Sequence, residues 1–231
     1  MLANHETPIT NIVTDTYDTK TYYVDISATG ITFIPGQFFM VSTIVNGKEV
    51  RRAYSSATSP TEDGIVGFTI KKEPFGIFSN HSFENFVTGD VLKISGPYGK
   101  FVYNNEEQPV YLIGGGSGIV PLRSIMKYII DKKIPVPVIL LYSNKTAKDI
   151  IYREEFEKLA NEHENITLYF TLTDDTWNGN TGRLTEHVLK QEIIHDNPLF
   201  YICGSPDFVR AMEDQLKALG YPEHSIKTEK Y

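Results

Sequence analysis

The sequence contains a single cysteine, Cys203, among its 231 residues. One cysteine excludes an internal disulfide, and it excludes an iron–sulfur cluster or zinc site held by several cysteines of this chain. A redox cofactor bound by this chain is therefore expected to be organic. The six histidines, scattered from His5 to His224, show no pair at metal-ligand spacing on a helix face. We predict no metal site.

Long hydrophobic runs and basic blocks are also absent. No apolar run approaches the ~20 residues that a membrane-spanning helix needs, and residues 1–10 are polar and lack a signal-peptide pattern. The formal net charge of −7 disfavours general nucleic-acid binding, and no Lys/Arg block is longer than a pair. We therefore expect a globular, cytoplasmic protein that neither spans a membrane nor binds nucleic acid. Its oligomeric state does not follow from the sequence.

Two hydrophobic patterns divide the chain. From Thr7 to about Ile94, short β-branched and aromatic runs alternate with turn residues, which predicts an antiparallel, closed β-barrel. In the second half, buried-type strands alternate with helix-like stretches, which predicts a parallel sheet with helices on both faces. The predicted strands are 21–27, 37–45, 65–71, 91–95, 110–113, 136–141, 166–172 and 199–203. We place the boundary in the polar stretch 103–109, giving domains 1–106 and 107–231.

A glycine-rich segment, residues 114–118, follows the strand that ends at Ile113 and precedes a helix that opens after Pro121. Bare backbone amides and the helix dipole at such a turn can bind a pyrophosphate. The segment is not Gly-x-Gly-x-x-Gly, because Pro121 occupies the third position, and the chain has no Gly-Lys-Ser/Thr. Taken alone, the segment fits a dinucleotide site or an ordinary strand-to-helix turn equally well.

Five ordered segments, spread over nearly the whole chain, resemble the ferredoxin-NADP reductase superfamily. The first, Arg52-Ala53-Tyr54-Ser55, is similar to the family's Arg-x-Tyr-Ser flavin motif. The resemblance implies an N-terminal antiparallel Greek-key barrel that binds FAD, followed by a nicotinamide-nucleotide-binding α/β domain. Tyr54 would stack on the isoalloxazine, Arg52 would bind the pyrophosphate, and Ser55 would reach the flavin N5 edge.

The second segment, Gly76-Ile77-Phe78-Ser79, resembles the family's Gly-x-x-Ser turn for the flavin pyrophosphate. Gly76 would permit close approach of the backbone, and Ser79 would donate a hydrogen bond. The resemblance extends the flavin site to the end of the preceding strand, at Ile70, Lys71 and Lys72.

The third segment, residues 96–101, is similar to the Gly-Pro-x-Gly-x-Phe at which the family's barrel closes, so its expected role is structural. The fourth, residues 114–121, resembles Gly-Gly-Thr-Gly-x-x-Pro, with Ser117 keeping the hydroxyl expected near the nicotinamide. The cofactor residues implied in this segment are Gly116, Ser117, Gly118 and Pro121.

The fifth segment, residues 201–206, is similar to the family's Tyr-x-Cys-Gly-x-Pro and implies that Cys203 lies beside the nicotinamide C4. Its other implied cofactor residues are Gly204, Ser205 and Pro206. The chain end resembles the Val-Glu-x-Tyr terminus of plant-type members. By that resemblance Tyr231 would cover the flavin and swing away to admit the nicotinamide, and Glu229 would assist proton movement.

The choice of nicotinamide depends on the residues that face the adenosine ribose. NADP-specific plant-type members have a Ser-Arg pair where this chain reads Thr173-Asp174-Asp175, and carboxylates there would repel a 2′-phosphate. The segment 141–149 resembles NADH-using members, which implies that Asn144 and Asp149 contact the nucleotide. Asp149 has the alternative role of flanking the next helix. NADPH stays the alternative cofactor because of Lys145 and Lys148.

The resemblance implies an FAD-dependent reductase that takes a hydride from NADH at flavin N5. Ser55, Cys203, Glu229 and Tyr231 are its expected catalytic residues, and the electrons would leave for a separate acceptor such as ferredoxin, flavodoxin or an oxygenase component. One alternative is a reductase that uses free flavin as its substrate. Another is a flavin-binding electron-relay subunit that does not turn over nicotinamide.

Overall fold

A computed structural model of the protein describes residues 4–231, and these residues form two compact units. The first unit comprises the described residues through Asn104 together with Arg123–Lys132. The second comprises Asn105–Leu122 and Lys133–Tyr231. One helix therefore contributes residues to both units, and the domain division at 106/107 stays a prediction.

The first unit is an antiparallel six-stranded sheet in the order β4-β3-β6-β1-β2-β5, as the first half of the sequence predicts. Its strands are β1 (Asn4–Thr16), β2 (Thr19–Asp25), β3 (Phe38–Val45), β4 (Lys48–Ser55), β5 (Ile65–Lys71) and β6 (Val91–Tyr98). An isolated antiparallel bridge between Ser56 and Phe68 links the two outer strands. Helix α1 (Ile77–Asn85) follows β5. Tyr22, Phe39 and Phe68 are fully buried in the core of this unit.

Strand β1 is the longest strand, and no run of the sequence predicts it. Most of its side chains are polar, and only Thr7, Ile9 and Thr16 are buried. The strand nevertheless pairs with β2 along Ile9 to Thr16 and with β6 along Asn4 to Pro8. Its backbone hydrogen bonds to two neighbours therefore fix a conformation that its hydrophobic pattern does not signal.

The second unit is an all-parallel six-stranded sheet in the order β10-β9-β8-β7-β11-β12. Its strands are β7 (Val110–Gly115), β8 (Val138–Asn144), β9 (Ile166–Leu172), β10 (Asn180–Thr181), β11 (Leu199–Gly204) and β12 (Ile226–Lys230). The helices of the second half are α2 (Ile119–Asp131), α3 (Arg153–Glu162), α4 (Glu186–Glu192) and α5 (Pro206–Ala218). The predicted parallel α/β architecture is confirmed, and no helix within residues 4–231 is long and apolar enough to cross a membrane.

The strand order places a crevice at one edge of this sheet. From β7 the chain adds β8, β9 and β10 on one side and then returns to place β11 and β12 on the other. Ligands of open parallel sheets bind outside the carboxyl ends of the strands at such a reversal of order. The glycine-rich turn after β7 and the turn after Cys203 of β11 flank this point.

Candidate functional site

The first unit brings the Arg-x-Tyr-Ser segment next to the Gly-x-x-Ser turn. Tyr54 near the end of β4 lies with its ring centroid 5.4 Å from that of Phe78 in α1. Phe78 is buried in the core and so fixes the helix against the strand. Burial raises the pKa of Tyr54 well above its ordinary value, so its ring stays an uncharged phenol. A neutral aromatic ring suits the stacking role expected of Tyr54.

Gly76 caps the amino terminus of α1, and its turn has no room for a side chain. A Cβ on Gly76 would lie 2.3 Å from Ser79 Oγ and 3.2 Å from the Glu73 carbonyl oxygen. The Ser79 hydroxyl already accepts a hydrogen bond from the Glu73 backbone N–H at 3.1 Å. The first turn of α1 contains no acidic residue, so the helix amino terminus is compatible with an anion.

The remaining predicted flavin residues differ in how their side chains are placed. Arg52 is exposed, and its Nη1 donates to the Arg51 carbonyl at 2.7 Å, which leaves most of the guanidinium available. Ile70 is buried in the core and could meet a ligand only through its backbone. Lys71 pairs with Asp18 at 3.4 Å, and Lys72 pairs with Glu84 at 2.7 Å. Ala53, Ile77 and Ser55 lie at the surface or half-buried.

The glycine-rich turn of the second unit packs directly on the end of β11. Gly116 has a φ of 54°, in the left-handed region that favours glycine. A Cβ on Gly118 would lie 2.1 Å from the Cys203 carbonyl oxygen, so only glycine permits this approach. The fourth and fifth family segments, which are far apart in the sequence, are thereby brought together. Ser117 is half-buried in this turn, and Pro121 lies buried in the first turn of α2.

Cys203 is buried at the carboxyl end of β11. Burial, together with the charge of Glu229, raises the pKa of the Cys203 thiol well above its ordinary value, so the thiol is neutral. The next residues start α5. Ser205 Oγ accepts a hydrogen bond from the Phe208 N–H at 3.4 Å as the helix cap, and Pro206 occupies the first turn. A Cβ on Gly204 would lie 2.7 Å from the Phe208 ring.

The chain end forms strand β12, which pairs with β11 so that Glu229 lies opposite Cys203. Tyr231 follows this strand, and its hydroxyl donates to the Gly115 carbonyl at 3.0 Å. The terminal aromatic therefore reaches the glycine-rich turn of its own unit, with 59% of its surface exposed. Its expected stacking on the flavin stays a prediction.

Asn144 is the last residue of β8 and Asp149 follows in the next turn, but only one of them has a satisfied side chain. The Asn144 amide is buried, and neither its nitrogen nor its oxygen has a hydrogen-bond partner among residues 4–231. Asp149 instead accepts hydrogen bonds from the Thr146 N–H at 3.0 Å and the Thr146 hydroxyl at 2.7 Å. This geometry favours the structural alternative for Asp149, and its contact with the ribose stays a prediction.

Asp174 and Asp175 are exposed in the loop after β9. The Asp174 N–H donates to the Lys145 carbonyl at 2.9 Å, which ties the loop to the end of β8. Asp175 accepts hydrogen bonds from the Ala147 and Thr176 amides. Both carboxylates therefore lie near the carboxyl edge of the sheet, as the ribose assignment requires.

The sequence patterns did not single out a cavity of about 420 Å³ at this same edge. It is lined by residues at or after the carboxyl ends of β8, β9, β10 and β11 and by one face of α5. Among them are Ser143, Thr173, Arg183, Ser205 and Phe208. Arg183 brings a positive charge to the cavity that Thr173, in the loop after β9, also lines. No motif marks Arg183 in the sequence, because only the folding of residues 182–185 toward α5 brings it to the cavity.

The residues of each unit fit the cofactor expected there. In the first unit, a helix amino terminus without acidic residues and an exposed arginine suit a pyrophosphate. In the second unit, the glycine-lined approach at Gly118 and the unpartnered Asn144 amide suit a dinucleotide. Among residues 4–231, no group of three or more His, Cys, Asp or Glu side chains could hold a metal ion.

Sequence models of two families match the two halves of the chain. The model described as an oxidoreductase FAD-binding domain matches residues 7–103, and that described as an oxidoreductase NAD-binding domain matches residues 112–214. The chain belongs to the ferredoxin-NADP reductase superfamily. As a member it is an electron-transferring oxidoreductase that uses FAD and NAD(P)H.

Individual relatives agree with this assignment. NADH-cytochrome b5 reductase 1 of Meyerozyma guilliermondii is 31% identical over 81% of this chain and 68% of its own length. NADH-cytochrome b5 reductase 2 of Mycosarcoma maydis is 35% identical over 72% of this chain, which spans only 49% of that relative. The ferredoxin reductase in carbazole 1,9a-dioxygenase superposes with a TM-score of 0.85 at 26% identity, over 99% of this chain and 69% of that one.

Proposed function

We propose that this reductase takes a hydride from NADH onto bound FAD and passes the electrons to a separate protein acceptor. The observation that best supports this proposal is the packing of Gly118 against the Cys203 carbonyl. That approach unites the two family segments expected at the nicotinamide, at the point where the strand order of the sheet reverses. When bound, FAD and the nicotinamide supply the hydride and electron chemistry.

The protein's own residues bind the two cofactors, orient them and exclude water from the site. In the first unit, Arg52 and the amino terminus of α1 neutralise the pyrophosphate, and Tyr54 offers a neutral ring for stacking. In the second unit, the buried neutral Cys203 provides an uncharged wall for the nicotinamide. Glu229, opposite Cys203 in the β-ladder, is the carboxylate that we assign to proton movement.

We propose NADH over NADPH because of charge at the ribose. Asp174 and Asp175 are exposed at the end of β9, where a 2′-phosphate would meet two like charges. Arg183, at the neighbouring cavity, carries the opposite charge. Its attraction for a 2′-phosphate limits the preference for NADH over NADPH. The names of several relatives specify NADH, which supports the same choice.

The acceptor is proposed to be a small redox protein such as ferredoxin, flavodoxin or an oxygenase component. An acidic partner of this kind needs a basic surface, for which Lys71, Lys72, Lys93 and Lys100 are the candidates. Three of these lysines are ion-paired. Lys71 and Lys72 form the pairs given above, and Lys93 lies 3.6 Å from Glu49. These pairs lower the positive charge that the surface presents.

The purified protein tests the proposal directly. It should retain FAD through gel filtration and be bleached anaerobically by NADH faster than by NADPH. A colourless protein that oxidises NADH only when free flavin is added would indicate a flavin reductase. A yellow protein that neither nucleotide bleaches would indicate an electron-relay role without nicotinamide turnover. Reoxidation of the reduced protein by candidate ferredoxins and flavodoxins then identifies the acceptor class.

A further inference from the structure

A half-buried charge cluster lies on the face of β11 and β12 that carries the expected catalytic residues. Lys227 donates to Glu106 Oε1 at 2.5 Å and to the Tyr201 hydroxyl at 2.7 Å, and the Tyr201 hydroxyl donates to Glu106 at 3.3 Å. The Lys227 ammonium also lies 4.7 Å from the centroid of the fully buried Tyr201 ring. The side chains of Lys227 and Glu106 are only 26% and 21% exposed.

The cluster is in register with the catalytic end of the strand. Lys227 pairs with Tyr201 in the β-ladder, and Glu229 pairs with Cys203 two residues further on. Side chains of a strand alternate between faces, so Lys227 and Glu229 share one face of β12, and Tyr231 follows the strand directly. A slip of one residue would move Glu229 to the opposite face of the sheet and shift Tyr231 away from the glycine-rich turn.

We propose that Lys227 is a positioning residue that holds the register of β12, and thereby places Glu229 beside Cys203 and Tyr231 over the glycine-rich turn. β12 has five residues, lies at the edge of the sheet and, within the described part of the chain, pairs only with β11. Such a strand needs a side-chain anchor to resist fraying. Glu106, in the segment that precedes β7, supplies the other end of that anchor. The inference rests on the proposed function for what Glu229 and Tyr231 do.

Lys227→Met and Glu106→Gln remove the anchor from either side. Hydrogen exchange of the amides of residues 228–230 should accelerate by about tenfold or more in both variants, since charge-assisted bonds are lost. kcat for NADH with ferricyanide should fall by about tenfold through misplacement of Glu229. NADH should bind more tightly, because Tyr231 no longer holds its place at Gly115.

Two lysine variants serve as matched controls. Lys230→Met changes an exposed lysine on the opposite face of β12, and Lys158→Met removes an exposed ion pair with Glu162 on α3. Neither should change exchange in β12 or the kinetic constants. Lys227→Arg keeps a donor to Glu106 and should recover most of kcat. Combining Lys227→Met with Tyr231→Ser should add no further change in NADH affinity.

Several outcomes would overturn the inference. A lower melting temperature with unchanged kcat, KM and β12 exchange would make the cluster merely structural. An effect of Lys230→Met equal to that of Lys227→Met would remove its specificity. If the wild-type protein is reduced by neither nucleotide, the proposed function fails, and the exchange of residues 228–230 in Lys227→Met still decides whether Lys227 holds the register. If Lys227→Met does not fold, the milder Glu106→Gln decides by the same measurement.

Discussion

The two glycine turns of this reductase exclude side chains by different means. At Gly76 in the first unit, the nearest obstacle to a Cβ is the terminal oxygen of the Ser79 side chain. At Gly118 in the second unit, the obstacle is the backbone carbonyl of Cys203, whose position is set by two β-ladders. A hydroxyl can rotate away, whereas a carbonyl inside a sheet cannot. The turn at Gly118 should therefore be the less tolerant of the two.

Gly118→Ala should have the largest effect and is the strongest test of that difference. The added methyl must push β11 away from the turn, at a cost of about 3 kcal/mol, the upper end of the range for overpacking. We expect kcat/KM for NADH to fall about 100-fold. Gly114→Ala is the matched control, because the nearest obstacle to its Cβ would be the end of the Leu122 side chain at 3.1 Å. Equal losses in both variants would contradict the backbone argument.

Asp174→Arg should have the next largest effect, confined to the second unit. Replacing a carboxylate by a guanidinium at the ribose should shift the NADH to NADPH ratio of kcat/KM about 10- to 100-fold toward NADPH. Glu164→Arg makes the same charge change at an exposed position that follows α3. If both variants leave the ratio unchanged, the ribose is bound elsewhere, and Arg183→Leu becomes the informative variant.

Gly76→Ala should weaken FAD binding about tenfold, because the methyl displaces the Ser79 hydroxyl from the turn. FAD fluorescence on dilution measures this loss. In the double variant with Ser79→Ala, the nearest obstacle is gone, and the loss should be smaller than the sum of the two single losses. Strict additivity would mean that the Glu73 backbone, and not Ser79, limits the turn.

Tyr231→Ser should change NADH affinity only several-fold, since it removes one exposed ring and one hydrogen bond to Gly115. We expect tighter binding, because the Tyr231 hydroxyl is held at Gly115, in the turn that we assign to the nicotinamide. A titration of the oxidised protein with NAD+ measures the affinity. Weaker binding would show that Tyr231 supports the nucleotide instead of competing with it.

The smallest expected effect concerns pH. The pKa of Cys203 is raised by burial and by Glu229, so its thiol stays neutral from about pH 6 to 9. Cys203→Ala should therefore lower kcat/KM by the same factor at every pH in this range. A factor that changes between pH 8 and 9 would reveal a thiolate and contradict the neutral wall that we assign to Cys203.

The sequence was most informative where a local rule applies. The β-branched runs predicted β5 and β9 within a residue of their ends. It was least informative for β1 and β12, which are polar and owe their conformation to neighbouring strands. The tail that carries Glu229 and Tyr231 reads as a frayed terminus until its pairing with β11 is known.

Among the site residues, the sequence by itself determined which chemical groups are present and in what order. The motifs predicted the flavin and nicotinamide segments, because glycine, tyrosine and cysteine at fixed spacing reflect local backbone demands. Only the tertiary structure decided that the Asn144 amide is unpartnered among residues 4–231 and that Arg183 lines the cavity. Hydrogen-bond satisfaction and proximity depend on residues that are distant along the chain, so no local pattern can encode them.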